Sequence, residues 1–215
     1  MDAPSVIKQI QTLKKEAPER TFNQRYDLIV ALKNFDMKRE KVDFFIDLHF
    51  GLGQERKVCA LVGGELHDHA KKVCDDVVLT DDFDKYAQDK KAVRKLAKEH
   101  DYFIAQANIM PKVASAFGKV LGSRGKMPNP KAGCVVPPNA NLESLKEKLQ
   151  KRVRVQAAKI PIIHCVVGSF NQKDEEVADN IVTLYKGLIS NLPQRENNVQ
   201  RVYLKLTMSK PVEVN

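Results

Sequence analysis

The stretch Gly51-Leu52-Gly53-Gln54-Glu55-Arg56-Lys57-Val58-Cys59-Ala60-Leu61-Val62 decides how this chain is built, because its patterning changes there. Upstream, Tyr26, Leu28, Val30 and Leu32 alternate with more polar neighbours, and so do Val42, Phe44, Ile46 and Leu48. A period of two marks strands with one buried face. Downstream, Val58 to Val62 is continuously apolar, as in a strand buried on both faces. A helical pattern from Leu66 to Cys74, an apolar run from Val77 to Leu79 and two further helical stretches follow. A strand from Tyr102 to Ala105 and a helix from about Ile109 to Phe117 come next. Such alternation predicts a layered α/β unit with a parallel sheet.

The earlier pattern then returns. After a helix from Leu142 to about Leu149, strands are expected at Val153 to Ala157 and Ile160 to Val167. Asp174 to Ile189 is an amphipathic helix, with Val177, Ile181, Leu184 and Leu188 on one face. The last strand, Val199 to Met208, is expected to bury Val202, Leu204, Leu206 and Met208 and to turn Arg201, Tyr203, Lys205 and Thr207 the other way. A helix from Pro4 to Ala17 opens the chain, and Asn34 to Glu40 is a turn-rich connector. The fold class is therefore α/β and α+β, with an α/β unit flanked on both sides by antiparallel-style segments.

Lys and Arg number 36 against 27 Asp and Glu, giving a net charge of +9. That excess favours a polyanionic partner, since each neutralised phosphate releases counterions. Four scattered cysteines without paired spacing fit a reducing compartment and argue against a zinc ribbon or a disulfide framework. The N-terminus lacks a signal-peptide pattern, and no apolar run is long enough for a membrane span. The expectation is a cytoplasmic protein with no membrane partner.

Catalytic motifs fail one by one. Gly51-x-Gly53 lacks the third glycine of a dinucleotide fingerprint and precedes a strand, where the fingerprint should follow one. Gly125-Lys126 resembles the end of a phosphate-binding loop, but Val120 stands where its first glycine belongs and Met127 where Ser or Thr belongs. His67 and His69 are two apart, so on a helix they cannot easily share a metal. Cys165 beside His164 lies in a strand, where neighbours point to opposite faces. No enzyme, no cofactor and no metal site is expected.

From Tyr102 to Leu142 there is no acidic residue, while Lys112, Lys119, Arg124, Lys126 and Lys131 all fall inside. The centre, Leu121-Gly-Ser-Arg-Gly-Lys-Met-Pro-Asn-Pro-Lys-Ala-Gly133, interleaves cations with residues that restrict or free the backbone. It is expected to be a loop presenting cations and unused backbone N–H groups to phosphates.

That loop closely resembles the signature of the large-subunit ribosomal protein L-one family, in its archaeal form. Arg20-Thr-Phe22-Asn-Gln, His100-Asp-Tyr-Phe-Ile-Ala-Gln106, Pro137-Pro-Asn-Ala-Asn-Leu142 and Lys205-Leu-Thr-Met208 agree in order and spacing. The resemblance implies a discontinuous RRM-like two-layer domain, 1–54 with 153–215, and an inserted Rossmann-like three-layer domain, 55–152. Gly51 and Gly53 would then lie at a hinge. It implies a structural protein of the large ribosomal subunit, bound to the rRNA of the mobile stalk near the tRNA exit site. Its own mRNA would be a second target, through translational repression, and exit-site tRNA a further partner. Off the ribosome it would be a monomer.

The primary RNA residues carried over are Phe22, Gln24, Arg25, Thr207, Met208 and Ser209, with Arg201 and Lys205 on the same strand. Arg124, Lys126 and Lys131 would make a secondary contact. Ser209 stands where the family has Gly, Arg25 where it has Ser or Thr, and Ser123 where it has Pro. The RNP aromatic signature is missing and only 7% of residues are aromatic. Shape, phosphate and 2′-hydroxyl contacts to folded RNA are therefore expected over base stacking. A nucleotide-dependent α/β enzyme and a basic RNA-binding module unconnected with ribosomes are the rival readings.

Overall fold

A computed structural model describes residues 1–18, 20–37, 40, 42–157 and 160–214. In chain order the elements are α1 (Ala3–Glu16), β1 (Arg25–Leu32), β2 (Val42–Asp47), β3 (Val58–Val62), α2 (Gly64–Val73), β4 (Asp76–Leu79), α3 (Phe83–Gln88) and α4 (Lys90–Glu99). They continue as β5 (Tyr102–Gln106), α5 (Met110–Ser123), β6 (Val135–Val136), α6 (Leu142–Lys151), β7 (Arg152–Ala157), β8 (Ile162–Ser169), α7 (Asp174–Asn191), β9 (Val199–Leu206) and β10 (Val212–Glu213). Lys38 and Arg39, in the connector expected from Asn34 to Glu40, lie outside the described residues. The chain forms two compact units, Met1–Gln54 with Lys151–Asn215, and Glu55–Gln150.

The first unit has two layers. Its antiparallel sheet runs β10-β9-β1-β8, so strands from both ends of the chain lie side by side at its centre. Tyr26, Leu28, Val30, Ile163, Cys165, Val167, Val202, Leu204 and Leu206 pack with Val6, Ile10 and Leu13 of α1 and with Val177, Ile181, Leu184 and Leu188 of α7. Both helices thus cover one sheet face, and Asp27, Ile29, His164, Arg201, Tyr203 and Lys205 belong to the other. β2 and β7 form a separate antiparallel ribbon. Arg152 on Asp47 and Arg154 on Asp43, at 2.6 and 2.8 Å through Nη2, tie its strands together.

The second unit has three layers around a parallel sheet ordered β4-β3-β5-β6. From β3 the chain steps outward to β4, then returns past β3 to β5. With right-handed crossovers, that reversal puts α2 on one face and α3, α4 and α5 on the other. Accordingly Cys59, Leu61, Phe103 and Ala105 cluster with Phe83, Val93, Leu96, Val113, Phe117 and Leu121. All five residues of β3 are buried, as a strand covered on both faces requires.

Three details differ from the sequence reading. Helix α5 runs on to Ser123, because the Val113, Phe117, Leu121 stripe continues through Gly118 and Gly122. The two-residue strands β6 and β10 carry too short a pattern to show a period. Met208 is 52% exposed, because β9 ends at Leu206 and the next residues turn away from the core.

Gly53 has φ +71°, and a Cβ there would come within 2.7 Å of Gln172 Cγ and Ser169 Cβ. Gly53→Ala therefore combines left-handed strain with a clash and is expected to cost roughly 2–4 kcal/mol. Denaturant unfolding checks this; a cost below 1 kcal/mol would mean the segment shifts freely.

Candidate nucleic-acid interface

The strand register brings the early and late motifs together. Pairing of Tyr26 with Leu206 sets Arg25 beside Thr207 at one end of the sheet. Thr207 N–H donates to the Arg25 carbonyl at 3.1 Å, and the Thr207 hydroxyl accepts the Arg25 N–H at 3.1 Å. A side-chain oxygen thus continues the ladder where the strand has ended.

Gln24 holds this junction from beneath. It is 5% exposed. Its Nε2 donates to Pro18 O at 3.1 Å, its Oε1 accepts Met208 N–H at 3.1 Å, and its carbonyl accepts Phe170 N–H at 2.9 Å. Ser209 closes the turn: its N–H donates to Leu206 O at 3.1 Å, and its Oγ accepts Leu206 N–H at 2.8 Å. The hydroxyl that distinguishes this position from glycine is therefore used inside the turn. Thr207 and Met208 occupy its centre, both exposed. Phe22, two residues before Gln24, is 49% exposed.

The cations of this unit are partly engaged. The Arg25 guanidinium donates through Nε at 2.9 Å, and through Nη2, to Gln54 Oε1. Gln54 takes two of its five donors. Arg201 lies 3.4 Å from the Tyr203 hydroxyl and 3.9 Å from Glu213. Lys205 pairs across the strands with Asp27. Burial pushes the Asp27 carboxyl above its ordinary range, opposed by Lys205, then His164 and Arg25. The exposed surface is Phe22, Arg25, Thr207 and Met208, with Lys205 and Arg201 further along β9. Gln24 positions the others and, being buried, does not itself face a ligand.

The signature loop of the second unit differs from the phosphate cradle expected of it. Gly125, at φ +66°, stops α5: its N–H donates to Gly122 O at 3.1 Å, and Lys126 N–H donates to Leu121 O at 2.9 Å. This bonding pair is the Schellman stop. The Asn129 side chain accepts Lys131 N–H at 2.9 Å, and the N–H groups of Ala132, Gly133 and Cys134 donate to Asn129 or Pro130 carbonyls. Pro128, Ala132 and Cys134 are buried. The N–H groups of Gly125, Lys126, Lys131, Ala132, Gly133 and Cys134 are spent on the fold, because the loop must end a helix and start β6 within a few residues. Lys126 is half-buried, and its Nζ donates to Ala97 O at 3.1 Å and His100 O at 2.6 Å, capping α4. Of the three loop cations, Arg124 and Lys131 are the exposed ones.

In the second unit a buried polar side chain stands at the ends of the central strands. Ligands of such sheets bind outside the strand carboxyl ends where the strand order reverses, here between β3 and β5. There Gln106, 1% exposed, accepts Gly63 N–H at 3.0 Å and donates to Glu65 at 3.2 Å. All four thiols are free and buried. Cys165 is buried and pushed up to about 12, by burial first and then Asp27. Among the described residues there is no group of three or more His, Cys, Asp or Glu placed to hold a metal, and no helix is long and apolar enough to cross a membrane.

The fold is that of a two-unit chain whose discontinuous unit presents the strand end described above. The model of the ribosomal protein L1p/L10e family matches residues 13–210, and the chain belongs to that family. It is 41% identical to the large ribosomal subunit protein uL1 of Nanoarchaeum equitans, over 93% of this chain and 95% of the relative. The proteins of that name from Pyrococcus abyssi and Methanothermococcus thermolithotrophicus are 37% and 36% identical; the alignments span 99% and 100% of this chain and 96% and 99% of those relatives.

Two outcomes test this geometry. Lys126→Ala is expected to destabilise the protein by about 1–2 kcal/mol, since the carbonyls of Ala97 and of the α4 C-cap His100 lose a cationic donor; an unchanged melting temperature would contradict the capping role. Because its pKa is raised on folding, Asp27 contributes stability that is lost as pH rises from the ordinary carboxylate range through the raised value. Asp27→Asn should flatten that part of the stability–pH curve, and an unaltered curve would contradict the assignment.

Proposed function

We propose that this chain is a structural component of the large ribosomal subunit that binds the rRNA of the mobile stalk near the tRNA exit site. The observation that carries the reading is the meeting of Arg25, Thr207 and Met208, drawn from both ends of the chain, at one exposed strand end, with exposed Phe22 three residues before Arg25. Its near full-length similarity to proteins named large ribosomal subunit protein uL1 supports the same reading. In this account Phe22 and Met208 pack against the RNA groove. Thr207 and neighbouring backbone groups bond 2′-hydroxyls and phosphates, and Arg25, Lys205 and Arg201 supply charge. The discontinuous unit is the primary RNA-binding domain, and Arg124 and Lys131 make a secondary contact on the inserted one.

Translational repression follows if the protein's own mRNA presents the same RNA shape, and exit-site tRNA is a further partner. The chain works in the cytoplasm, on the ribosome. Of the two hinge glycines, Gly53 is locked by its neighbours, whereas nothing lies within 4 Å of a Cβ at Gly51. The Gly51 carbonyl in turn accepts Gln172 Nε2 at 2.7 Å.

Gel-shift titration with an rRNA stalk fragment is expected to show tight, steeply salt-dependent binding, preferred over an unrelated structured RNA. Equal affinity for both RNAs would sink the proposal. Thr207→Val should weaken stalk binding about tenfold, the scale of one lost specific contact, and more than Lys126→Ala does. Equal losses with equal changes in salt slope would count against the assigned site.

A further inference from the structure

Helix α4 carries a charge pattern that its packing does not require. Val93, Leu96 and Ala97 fill its core side. Lys90, Lys91, Arg94, Lys95 and Lys98 are all exposed, and at about 100° per residue they occupy one continuous arc. Glu99 stands at the edge of that arc, 4.0 Å from Lys95.

The arrangement works against the helix that bears it. Lys90 and Arg94, Lys91 and Lys95, and Arg94 and Lys98 are like-charge neighbours four apart, which repel. Lys90 and Lys91 also stand in the first turn, at the positive end of the helix dipole. At the same place α7 has Asp174, Glu175 and Glu176. Asp89 offsets the mismatch in part by accepting the N–H groups of Lys91 and Ala92. Helix α6, also ten residues long, interleaves Glu143 and Glu147 with Lys146 and Lys148 instead. Lys126, in the loop after α5, donates to Ala97 O in the last turn of α4 and to the carbonyl of its C-cap His100. Exposed Arg124 stands two residues before Lys126 in the sequence.

We propose that the exposed face of α4 is a further RNA-backbone contact on the inserted unit. Lys and Arg side chains carry donors and no acceptors. A row of them without aromatic or apolar partners recognises the charge density of a phosphate backbone, not base identity. Bound phosphates would also relieve the repulsion along the helix. The proposal rests on the RNA-binding reading above and adds to it a surface that shares no residue with the Phe22 and Thr207 site. An acidic protein surface is the rival occupant.

The test uses the full chain carrying Lys91→Gln, Arg94→Gln, Lys95→Gln and Lys98→Gln together. A Lys91→Arg, Lys95→Arg, Lys98→Arg variant keeps the charge. Binding is titrated against salt with the stalk fragment, an unrelated structured RNA, and polyglutamate as competitor. The Gln variant should bind the unrelated RNA about 10- to 100-fold more weakly near ~0.1 M salt, with a log–log slope shallower by about 2 to 3. The Arg variant should bind as wild type does, and the melting temperature of the Gln variant should hold or rise. Unchanged affinity and slope in the Gln variant would overturn the proposal, as would polyglutamate competing as well as RNA of equal charge. Loss of binding by the Arg variant together with a lowered melting temperature would do the same. If wild type fails to prefer the stalk fragment, the ribosomal reading falls, and the slope difference still decides the α4 face. If that preference holds while the Gln variant keeps its slope, the α4 face alone falls.

Discussion

The antiparallel pairing of β1 with β9 is the constraint on which the rest of the molecule depends. It joins Arg25 to Thr207 across 182 residues of sequence. Chain closure over that distance carries an entropic cost that local contacts cannot offset, so the inward faces of both strands must be apolar. Tyr26, Leu28, Val30, Val202, Leu204 and Leu206 are all buried. With those strands fixed, the intervening chain leaves after Gln54 and returns after Gln150, closing a separate parallel-sheet unit on itself. The same pairing delivers the exposed residues. Arg25 and Thr207 meet at one strand end because the register leads them there, and Gln24 holds Met208 beside them.

Beneath that strand end, the buried amide of Gln24 links Pro18 to the Met208 N–H while its carbonyl holds Phe170. A buried, bonded amide is costly to leave half satisfied, so the turn from Leu206 to Ser209 has one favoured arrangement. A surface that recognises folded RNA by shape needs such rigidity, because flexible contacts would lose ordering entropy on binding. Ser209 fits this account, since its hydroxyl bonds within the turn instead of projecting from it.

Much of this was legible in the sequence, for a physical reason. Strands covered on one face show a period of two, and β3, covered on both faces, does not. The change at Gly51 to Val62 therefore marked where one kind of sheet gave way to another. Local patterning could not show hydrogen-bond allocation. The loop from Gly122 to Gly133 has the composition of a phosphate cradle, yet its N–H groups stop α5 and shape the approach to β6. Lys126 looked like a free cation and caps α4. Gln24 lay in the right motif but acts from below the surface, which only the burial of its side chain reveals. Met208 continued the alternation by one residue after the strand had ended. The cationic arc of α4 was readable by helical spacing, but it lies outside the acid-free stretch that drew attention to charge.

The central claim is that a buried amide sets the geometry of the strand end proposed to bind RNA, which it does not itself present. Gln24→Met keeps the side-chain volume and removes both amide bonds. Its affinity for the rRNA stalk fragment should be measured well below its melting temperature, beside wild type. The account predicts a loss of about tenfold or more, the scale of one or two displaced contacts, with an unchanged salt slope because no cation is removed. Wild-type affinity in a folded Gln24→Met protein would contradict it.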